Sequence, residues 1–300
     1  MIINTNISAL VGLNNLRLTN LGLAQSLERL SSGLRINKGA DDPSGLAIAK
    51  GMEAQIGGIR TAVLNSEDGI SMIHTADGSL AETHDILMRM RDLAVRASNQ
   101  ATLTTMDLSR INDELQSLKA ELSRKSQAVT FNTKILFSGG TFSTGQALQV
   151  GADNGTNYRL TVQIFAMTMT GLYMKSMGNA GVTVDWKQHG SLNISNMGGA
   201  GATASAVNMA NIAIDYLNSA INFVSDQRAM LGIQERRLGH IIDDIKAQDI
   251  NISAAKSRIW DADMAVEITE FTRLQILQQS GTAILAQANA QPQNILQLLR

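Results

Sequence analysis

Four histidines are the side chains in this sequence best suited to metal binding or acid–base catalysis: His74, His84, His189 and His240. A zinc peptidase site needs two histidines one helical turn apart, with a glutamate between them as general base. No pair among the four has that spacing, and residues 138–204 contain only His189. The chain also has no cysteine, which removes disulfides, thiolate ligands and cysteine nucleophiles. We therefore predict no metal site.

Closely spaced aspartates are the other candidates, since two carboxylates in one cleft can divide the roles of acid and base. A capping role also explains them, because aspartate accepts hydrogen bonds from the first N–H groups of a helix. Asp42 stands just before Pro43, and proline is favoured at the first helical position. No glycine-rich loop leads to the lysine of a nucleotide site. We predict no enzyme, no cofactor, and capping or surface roles for Asp41, Asp42, Asp243, Asp244, Asp261 and Asp263.

The composition argues against nucleic-acid and membrane partners. The 300 residues carry a formal net charge of −1, with charges of both signs mixed along the chain, so no basic surface for nucleic acid is expected. No stretch reaches the roughly 18 consecutive apolar residues of a membrane span, so membrane insertion is not expected. The N-terminal segment has no basic residue before Arg17, and we predict no cleavable signal peptide.

Helical periodicity dominates both ends of the chain. Aromatic residues make up only 4% of the sequence, so a core must be built from Ala, Leu, Ile and Met, as in long helices packed along stripes. Apolar residues recur every three or four positions over residues 52–87, 108–122 and 207–259, and also from Leu16 to Leu34. A last helix is expected from about Asp263 to the C-terminus.

The middle of the chain differs in kind, because glycine and small polar residues concentrate in residues 138–204. Short β-branched runs at Arg159–Phe165 and Val182–Trp186 indicate strands. Asn154-Gly155 precedes the first run and is a candidate hairpin turn. The predicted fold class is therefore mainly α: a long antiparallel helical bundle or coiled coil from paired N- and C-terminal segments, with a small β-containing central element.

The terminal segments are each one helix with an apolar face, and a pair of such helices is only marginally stable. We expect neighbouring subunits to finish covering these faces, which is typical of a polymer subunit. The predicted polymer core contacts are Ile3, Ile7, Leu16, Leu23, Leu27, Leu30, Leu34, Ile268, Phe271, Ile284, Leu285, Ile295, Leu296 and Leu299.

Long motifs at both ends resemble one family. The sequence reads MIINTNISALVGLNN at residues 1–15 and SLERLSSGLRINKGADDPSGLAIA at residues 26–49. Near the other end, SRIWDADMAVEITEFTRLQILQQSGTAILAQANAQPQNILQLL occupies residues 257–299. These segments resemble bacterial flagellin over residues 1–137 and 205–300. Asp42-Pro43-Ser44 and Gly12 depart from the usual pattern, without removing an apolar stripe position.

The resemblance implies a structural subunit that polymerises with itself into the flagellar filament for swimming motility. Residues 1–43 and 256–300 would form the inner coiled-coil core, residues 44–137 and 205–255 a rod-like helical bundle, and residues 138–204 a short surface-exposed variable region. The subunit would be exported unfolded through the flagellar type III channel to the extracellular filament. Its expected partners are the flagellar cap and hook-junction proteins and an export chaperone at the C-terminal helices.

The resemblance also implies recognition by the vertebrate innate receptor Toll-like receptor 5. Arg89, Leu93 and Glu114 match the positions that flagellins use for this recognition, and Arg89 and Leu93 share a helix face. Subunit contacts or a surface ion pair between Arg89 and Glu114 would explain the same residues.

Two other functions stay open at this point. The hook–filament junction protein of the flagellum shares flagellin-like ends, and it would be a structural adaptor present in few copies. A helical enzyme or binding module with a small β domain would instead be a stable monomer with a ligand pocket. The scarcity of aromatic residues and of converging catalytic groups argues against that second alternative.

Overall fold

A computed structural model of the chain describes residues 6–99, 102–138, 142–167 and 203–298. Helices account for most of them: α1 (Ile7–Ser32), α2 (Pro43–Ser98), α3 (Thr105–Ala128), α4 (Thr203–Trp260) and α5 (Met264–Leu298). Four short strands lie between α3 and α4: β1 (Thr130–Phe131), β2 (Lys134–Ile135), β3 (Gln146–Gln149) and β4 (Arg159–Val162). The predicted fold class is confirmed. The strand predicted at Val182–Trp186 lies outside the described residues.

Side-chain caps fix where the helices begin. Asp42 Oδ1 accepts a hydrogen bond from the Gly45 N–H at 2.9 Å at the start of α2. Asp263 Oδ1 accepts one from the Ala265 N–H at 2.9 Å at the start of α5. Each carboxylate satisfies an N–H that has no partner inside its helix, so the predicted capping roles of Asp42 and Asp263 are confirmed.

Two more helix boundaries follow from local sequence. In α3, the Thr104 side chain accepts from the Asp107 N–H while the Asp107 carboxylate accepts from the Thr104 N–H, which forms a reciprocal capping box. Helix α1 ends at Gly33, which adopts φ 70°, a left-handed conformation that glycine reaches without steric cost.

The chain divides into two compact units. The terminal unit contains residues 1–57 and 247–300, and the central unit contains residues 58–246. The sequence-based division placed its boundaries at residues 43 and 256. In the structure, the first turns of α2 and the last turns of α4 group with the termini.

In the terminal unit, α1 and α5 pack antiparallel to each other. A Cβ added to Gly12 would lie 3.3 Å from Leu285 Cδ1, and one added to Gly281 would lie 3.4 Å from Leu16 Cδ1. Further along, a Cβ added to Gly22 would lie 3.4 Å from Leu274 Cδ1. Glycine on one helix thus faces leucine on the other, and this lets the two backbones approach closely.

The connectors at the base of this helix pair bind each other through the backbone. Leu34 and Asp261 form an isolated antiparallel bridge. The Ala262 N–H donates to the Gly33 carbonyl at 2.9 Å, and the Arg35 N–H donates to the Trp260 carbonyl at 2.7 Å. The α1–α2 connector is therefore tied directly to the α4–α5 connector.

The Trp260 indole lies beside these connectors and is 8% exposed. Lys50 Nζ and Lys256 Nζ lie 5.0 and 5.5 Å from the ring centroid, within the range of cation–π attraction. Glu53 pairs with both ammonium groups, at 2.7 Å from Lys50 and 3.6 Å from Lys256. The cluster joins α2 to α4 inside the terminal unit.

The central unit has a continuous apolar core contributed by α2, α3, α4 and the strand region. Its fully buried members include Ile73, Leu80, Leu87, Leu115 and Phe137. Polar bridges between α2 and α4 flank this core. Arg91 Nε donates to Asn218 Oδ1 at 2.6 Å, and Arg228 Nε lies 2.7 Å from Asp77 Oδ1.

The β region consists of two small hairpins. Strand β1 pairs with β2, and β3 pairs antiparallel with β4 in the register Leu148 opposite Leu160. The predicted strand beginning at Arg159 is confirmed over Arg159–Val162. Asn154-Gly155 lies in the connection of the β3–β4 hairpin, as predicted, and this connection covers residues 150–158 and includes a 3-10 turn.

Candidate assembly surface

Helix α1 presents apolar side chains to solvent along much of its length. The side chains that face α5 are partly covered, as Leu16 is by Gly281. A second set is more than half exposed in the single chain: Ile7, Leu10, Val11, Leu13, Leu18, Leu21 and Leu27. Part of the apolar surface of α1 therefore pairs within the chain, and the rest, including Leu27, has no cover among the described residues.

Helix α5 has the same character. Its sequence carries no charged residue from Leu274 to the last described position, 298. Leu274 is buried against Gly22, whereas a larger apolar set is exposed: Met264, Val266, Ile268, Ile276, Leu277 and Ile284. Exposed apolar side chains in this number are a candidate interface, because monomers in water keep apolar patches small.

The predicted polymer contacts fall into three groups in the structure. Ile7, Leu27, Ile268 and Ile284 are exposed. A second group is half-buried: Leu16, Leu23, Leu30, Leu34, Phe271 and Leu285. Ile295 and Leu296 belong to α5 without described side chains, while Ile3 and Leu299 lie outside the described residues.

Sequence reasoning missed the second apolar face of α1. Leu10, Val11, Leu13, Leu18 and Leu21 do not belong to the stripe that runs from Leu16 to Leu34, yet all five are exposed. The sequence did contain a sign of this surface, because the stripe from Leu16 to Leu34 does not account for these five apolar residues. A helix that is apolar on more than one face needs more than one partner.

The polar contacts between α1 and α5 fix their register. Asn6 Nδ2 donates to the Ala288 carbonyl at 2.9 Å, and Gln278 Nε2 donates to Asn20 Oδ1 at 2.9 Å. At the other end, Ser26 is buried with its hydroxyl 3.4 Å from the Glu267 carbonyl. These contacts fix which apolar side chains the pair covers itself and which it leaves for a partner.

Of the three predicted receptor residues, Arg89 and Glu114 are exposed and Leu93 is buried. Arg89 Nη2 lies 2.6 Å from Glu114 Oε1, with the two side chains 59% and 44% exposed. The surface ion pair considered as an alternative is thus present. Leu93 is 3% exposed and belongs to the core of the central unit, so its side chain is not presented to a partner in this conformation.

The titratable groups are dispersed. His74 Nε2 lies 2.9 Å from Glu235 Oε1, His84 is half-buried and His240 is exposed, while His189 lies outside the described residues. Over the described ranges, no three side chains of the metal-binding types come together as a metal site.

Asp41 stands next to Asp42 in the α1–α2 connector. Its carboxylate accepts hydrogen bonds from the Lys38 and Asn37 N–H groups, which lowers the pKa of the carboxyl. Its role is to hold the connector.

Among the helices described, none combines the length and apolar character needed to cross a membrane.

Two family models match the chain. The bacterial flagellin N-terminal helical region matches residues 3–142, and the bacterial flagellin C-terminal helical region matches residues 214–299. The flagellin of Bacillus subtilis strain 168 is 41% identical over 308 aligned residues that cover all of both chains. The chain belongs to the bacterial flagellin family. The flagellin of Halalkalibacterium halodurans is similar to it as well, with 42% identity over the full length of both.

A solved structure shows the same fold at low identity. A protein described as a putative flagellar hook-associated protein from Vibrio parahaemolyticus superposes with a TM-score of 0.55, covering 74% of this flagellin and 100% of that chain, at 14% identity. At this identity the likeness concerns the fold alone, and it does not favour the hook-junction alternative. This flagellin is a structural subunit of the flagellar filament, in a family of structural proteins.

Proposed function

We propose that the α1–α5 pair supplies the contacts that hold this flagellin in its filament. The observation that carries the proposal is the row of exposed apolar side chains on both helices, including Ile7 and Leu27 on α1 and Ile268 and Ile284 on α5. Burying apolar surface contributes about 25 cal/mol per Å², so covering these rows drives association. We include Ile3, Ile295, Leu296 and Leu299 in the proposal from the sequence alone.

The half-buried leucines have a different part in this proposal. Leu16 and Leu285 pack against glycines of the opposite helix and hold the pair together. Two helices alone are only marginally stable in water, and fixing their residues costs conformational entropy. In the proposed mechanism, the free subunit has weakly stable terminal helices, and assembly stabilises them.

Seeded polymerisation tests the proposal. The full-length chain and a 41–259 truncation are each added to short filament seeds, and growth is followed by sedimentation and negative-stain microscopy. Filaments from the full-length chain alone are expected, provided that the truncation keeps the helical circular dichroism and cooperative melting of the central unit. Equal growth from a folded truncation would refute the role of α1 and α5.

We also propose export through the flagellar type III channel, with an export chaperone that covers α5 beforehand. Support comes from Ile276 and Leu277, which are exposed on a stretch without charge. Replacing both with glutamine should reduce chaperone co-purification and the amount of subunit secreted. Gln279→Ala, an exposed change on the same helix, is the matched control. Undiminished chaperone binding in the double variant would count against this site.

The flagellar cap and the hook-junction proteins are the proposed partners at the two ends of the filament. A subunit at either end lacks neighbours of its own kind on one side. Its uncovered α1 and α5 faces would then be met by these proteins. Crosslinking from Leu13 or Ile284 at filament ends should capture them, whereas capture of filament subunits alone would contradict the proposal.

For Toll-like receptor 5 we propose contacts through Arg89 and Glu114, whose side chains are exposed. Arg89→Ala should lower receptor signalling by the soluble subunit. Arg124→Ala is the matched control, because Arg124 lies 2.6 Å from Glu121 in an equally exposed ion pair on α3. Signalling that falls equally in both variants, or in neither, would contradict a specific contact at Arg89.

A further inference from the structure

We infer that Asn154 is a modification site of this flagellin, at which the backbone itself converts asparagine to aspartate or isoaspartate. Asn154-Gly155 is the single Asn-Gly pair in the sequence. Asn154 is exposed, and residues 151–155 lie outside helix and strand, between β3 and β4. The pair is therefore exposed and is not held in a helix or a strand ladder, as an intramolecular attack on the side-chain amide requires.

Glycine at position 155 makes the nucleophile accessible. The attacking atom is the Gly155 backbone nitrogen, and the absence of a Cβ leaves it unshielded and free to rotate. Gly155 has φ 163°, an extended conformation that other residues also adopt. The glycine is thus not required by the fold at this position, which allows it to be replaced in a test.

Arg159 activates the electrophile. Its Nη2 donates to Asn154 Oδ1 at 3.2 Å, and its Nε donates to Gln149 Oε1 at 3.2 Å, so the guanidinium is held on two sides. Attack on the amide carbon places negative charge on Oδ1. A cation already positioned at that oxygen stabilises the developing charge.

The reaction balances with water as its only co-reactant. The Gly155 nitrogen forms a bond to Asn154 Cγ, its proton passes through water to the departing amide nitrogen, and the Cγ–Nδ2 bond breaks to release ammonia. Water then opens the resulting five-membered succinimide at either carbonyl. One opening gives aspartate and the other gives isoaspartate, with no change in oxidation state and one added negative charge.

The two products affect the hairpin differently. The loop is seated on α2 by Ala152, since a Cβ added to Gly58 would lie 2.8 Å from the Ala152 Cβ, and by Asn65 Nδ2, which donates to the Gln149 carbonyl at 3.2 Å. Aspartate at position 154 keeps the backbone and pairs with Arg159. Isoaspartate adds a methylene to the main chain two residues from Ala152 and should weaken the packing of the loop against α2.

A second asparagine serves as an internal control. Asn218 Oδ1 accepts from Arg91 Nε at 2.6 Å, so its amide is polarised in the same way. Asn218 is followed by Ser219 inside α4, where the backbone nitrogen is held in the helix. Rapid reaction at Asn154 with none at Asn218 would therefore show that a polarised amide is not sufficient and that the backbone of the following residue decides the rate.

Peptide mapping by mass spectrometry tests the inference on the purified full-length chain, aged at neutral and at mildly alkaline pH. The mass gain of deamidation should accumulate on the Asn154 peptide well before the Asn218 peptide, with isoaspartate detected by enzymatic methyl labelling. Gly155→Ala should slow deamidation at Asn154 roughly tenfold or more, which corresponds to a barrier increase of about 1.4 kcal/mol. The alanine fits, because its Cβ would lie 3.4 Å from Tyr158 Cδ2.

Two results would overturn the inference. One is deamidation at Asn154 no faster than at Asn218, and the other is an unchanged rate in a folded Gly155→Ala variant. Arg159→Gln separates the two contributions, since it removes the cation and leaves Gly155 in place. It should slow the reaction without abolishing it, and an unchanged rate would contradict the activating role of Arg159.

Discussion

Glutamine in place of Leu27, Ile268 and Ile284 together should weaken filament assembly without unfolding the subunit. The three side chains are 56, 53 and 62% exposed in the single chain. Complete burial of such a side chain contributes about 1.5–3 kcal/mol, and more than half of each side chain remains to be covered. The triple variant should therefore lose roughly 3–5 kcal/mol of assembly free energy per subunit.

That loss predicts a rise in the critical concentration of roughly two to three and a half orders of magnitude, since about 1.4 kcal/mol corresponds to a factor of ten. Glutamine has nearly the helix propensity of leucine, so α1 and α5 should keep their helical content in circular dichroism. The assay measures the protein that stays in the supernatant after seeded growth and sedimentation.

The control for this prediction is Ile135→Gln. Ile135 is 40% exposed but lies in β2 of the central unit and belongs to neither α1 nor α5. Its critical concentration should match that of the unsubstituted chain. A triple variant with the same critical concentration as this control would refute the claim that the exposed apolar rows drive assembly.

Three further predictions concern stability. Trp260→Ala should cost the terminal unit about 3–5 kcal/mol in denaturant unfolding, because a large buried ring that also faces two ammonium groups is removed. Hydrogen bonds from the Thr104 hydroxyl and N–H lower the pKa of the Asp107 carboxyl in the folded state. The capping contribution is therefore complete at neutral pH and is lost as the pH falls below about 4, and an acid titration of Asp107→Asn should lack this component. Arg89→Ala should change thermal stability by less than about 1 kcal/mol, since its ion pair with Glu114 is exposed.

A specific measurement would contradict each of these three stability predictions. Trp260→Phe keeps an aromatic ring and should lose less than alanine, so equal losses would argue against packing of the ring. An acid transition with identical steepness in Asp107→Asn would show that this cap does not contribute. A large loss of stability in Arg89→Ala would mean that the residue supports the core and would remove the basis for the receptor test.

Local chemistry made the helix boundaries predictable. Asp42 and Pro43 specify the start of α2 by a cap and a fixed φ, both of which act within a few residues. The existence of α3 follows similarly from its apolar periodicity, and the strand that begins at Arg159 follows from its β-branched composition. Such signals depend on neighbours in sequence, and a single sequence contains them in full.

Contacts between distant segments were the part that sequence could not supply. Gly12 was noted only as a departure from the family pattern, whereas the structure places it against Leu285. The cluster of Trp260 with Lys50 and Lys256 depends on how two connectors meet. Burial of Leu93 depends on the orientation of α2 within the central unit. Each of these depends on tertiary packing, which periodicity along one helix does not encode.

Hydrogen exchange of the full-length chain, compared between the free subunit and the filament, tests the central claim most directly. Amides of α1 and α5 are expected to exchange quickly in the free subunit and to become strongly protected in the filament. Amides in the buried parts of the central unit should be protected in both states. Terminal helices that are equally protected before and after assembly would contradict the claim that the α1–α5 pair is completed and stabilised by neighbouring subunits.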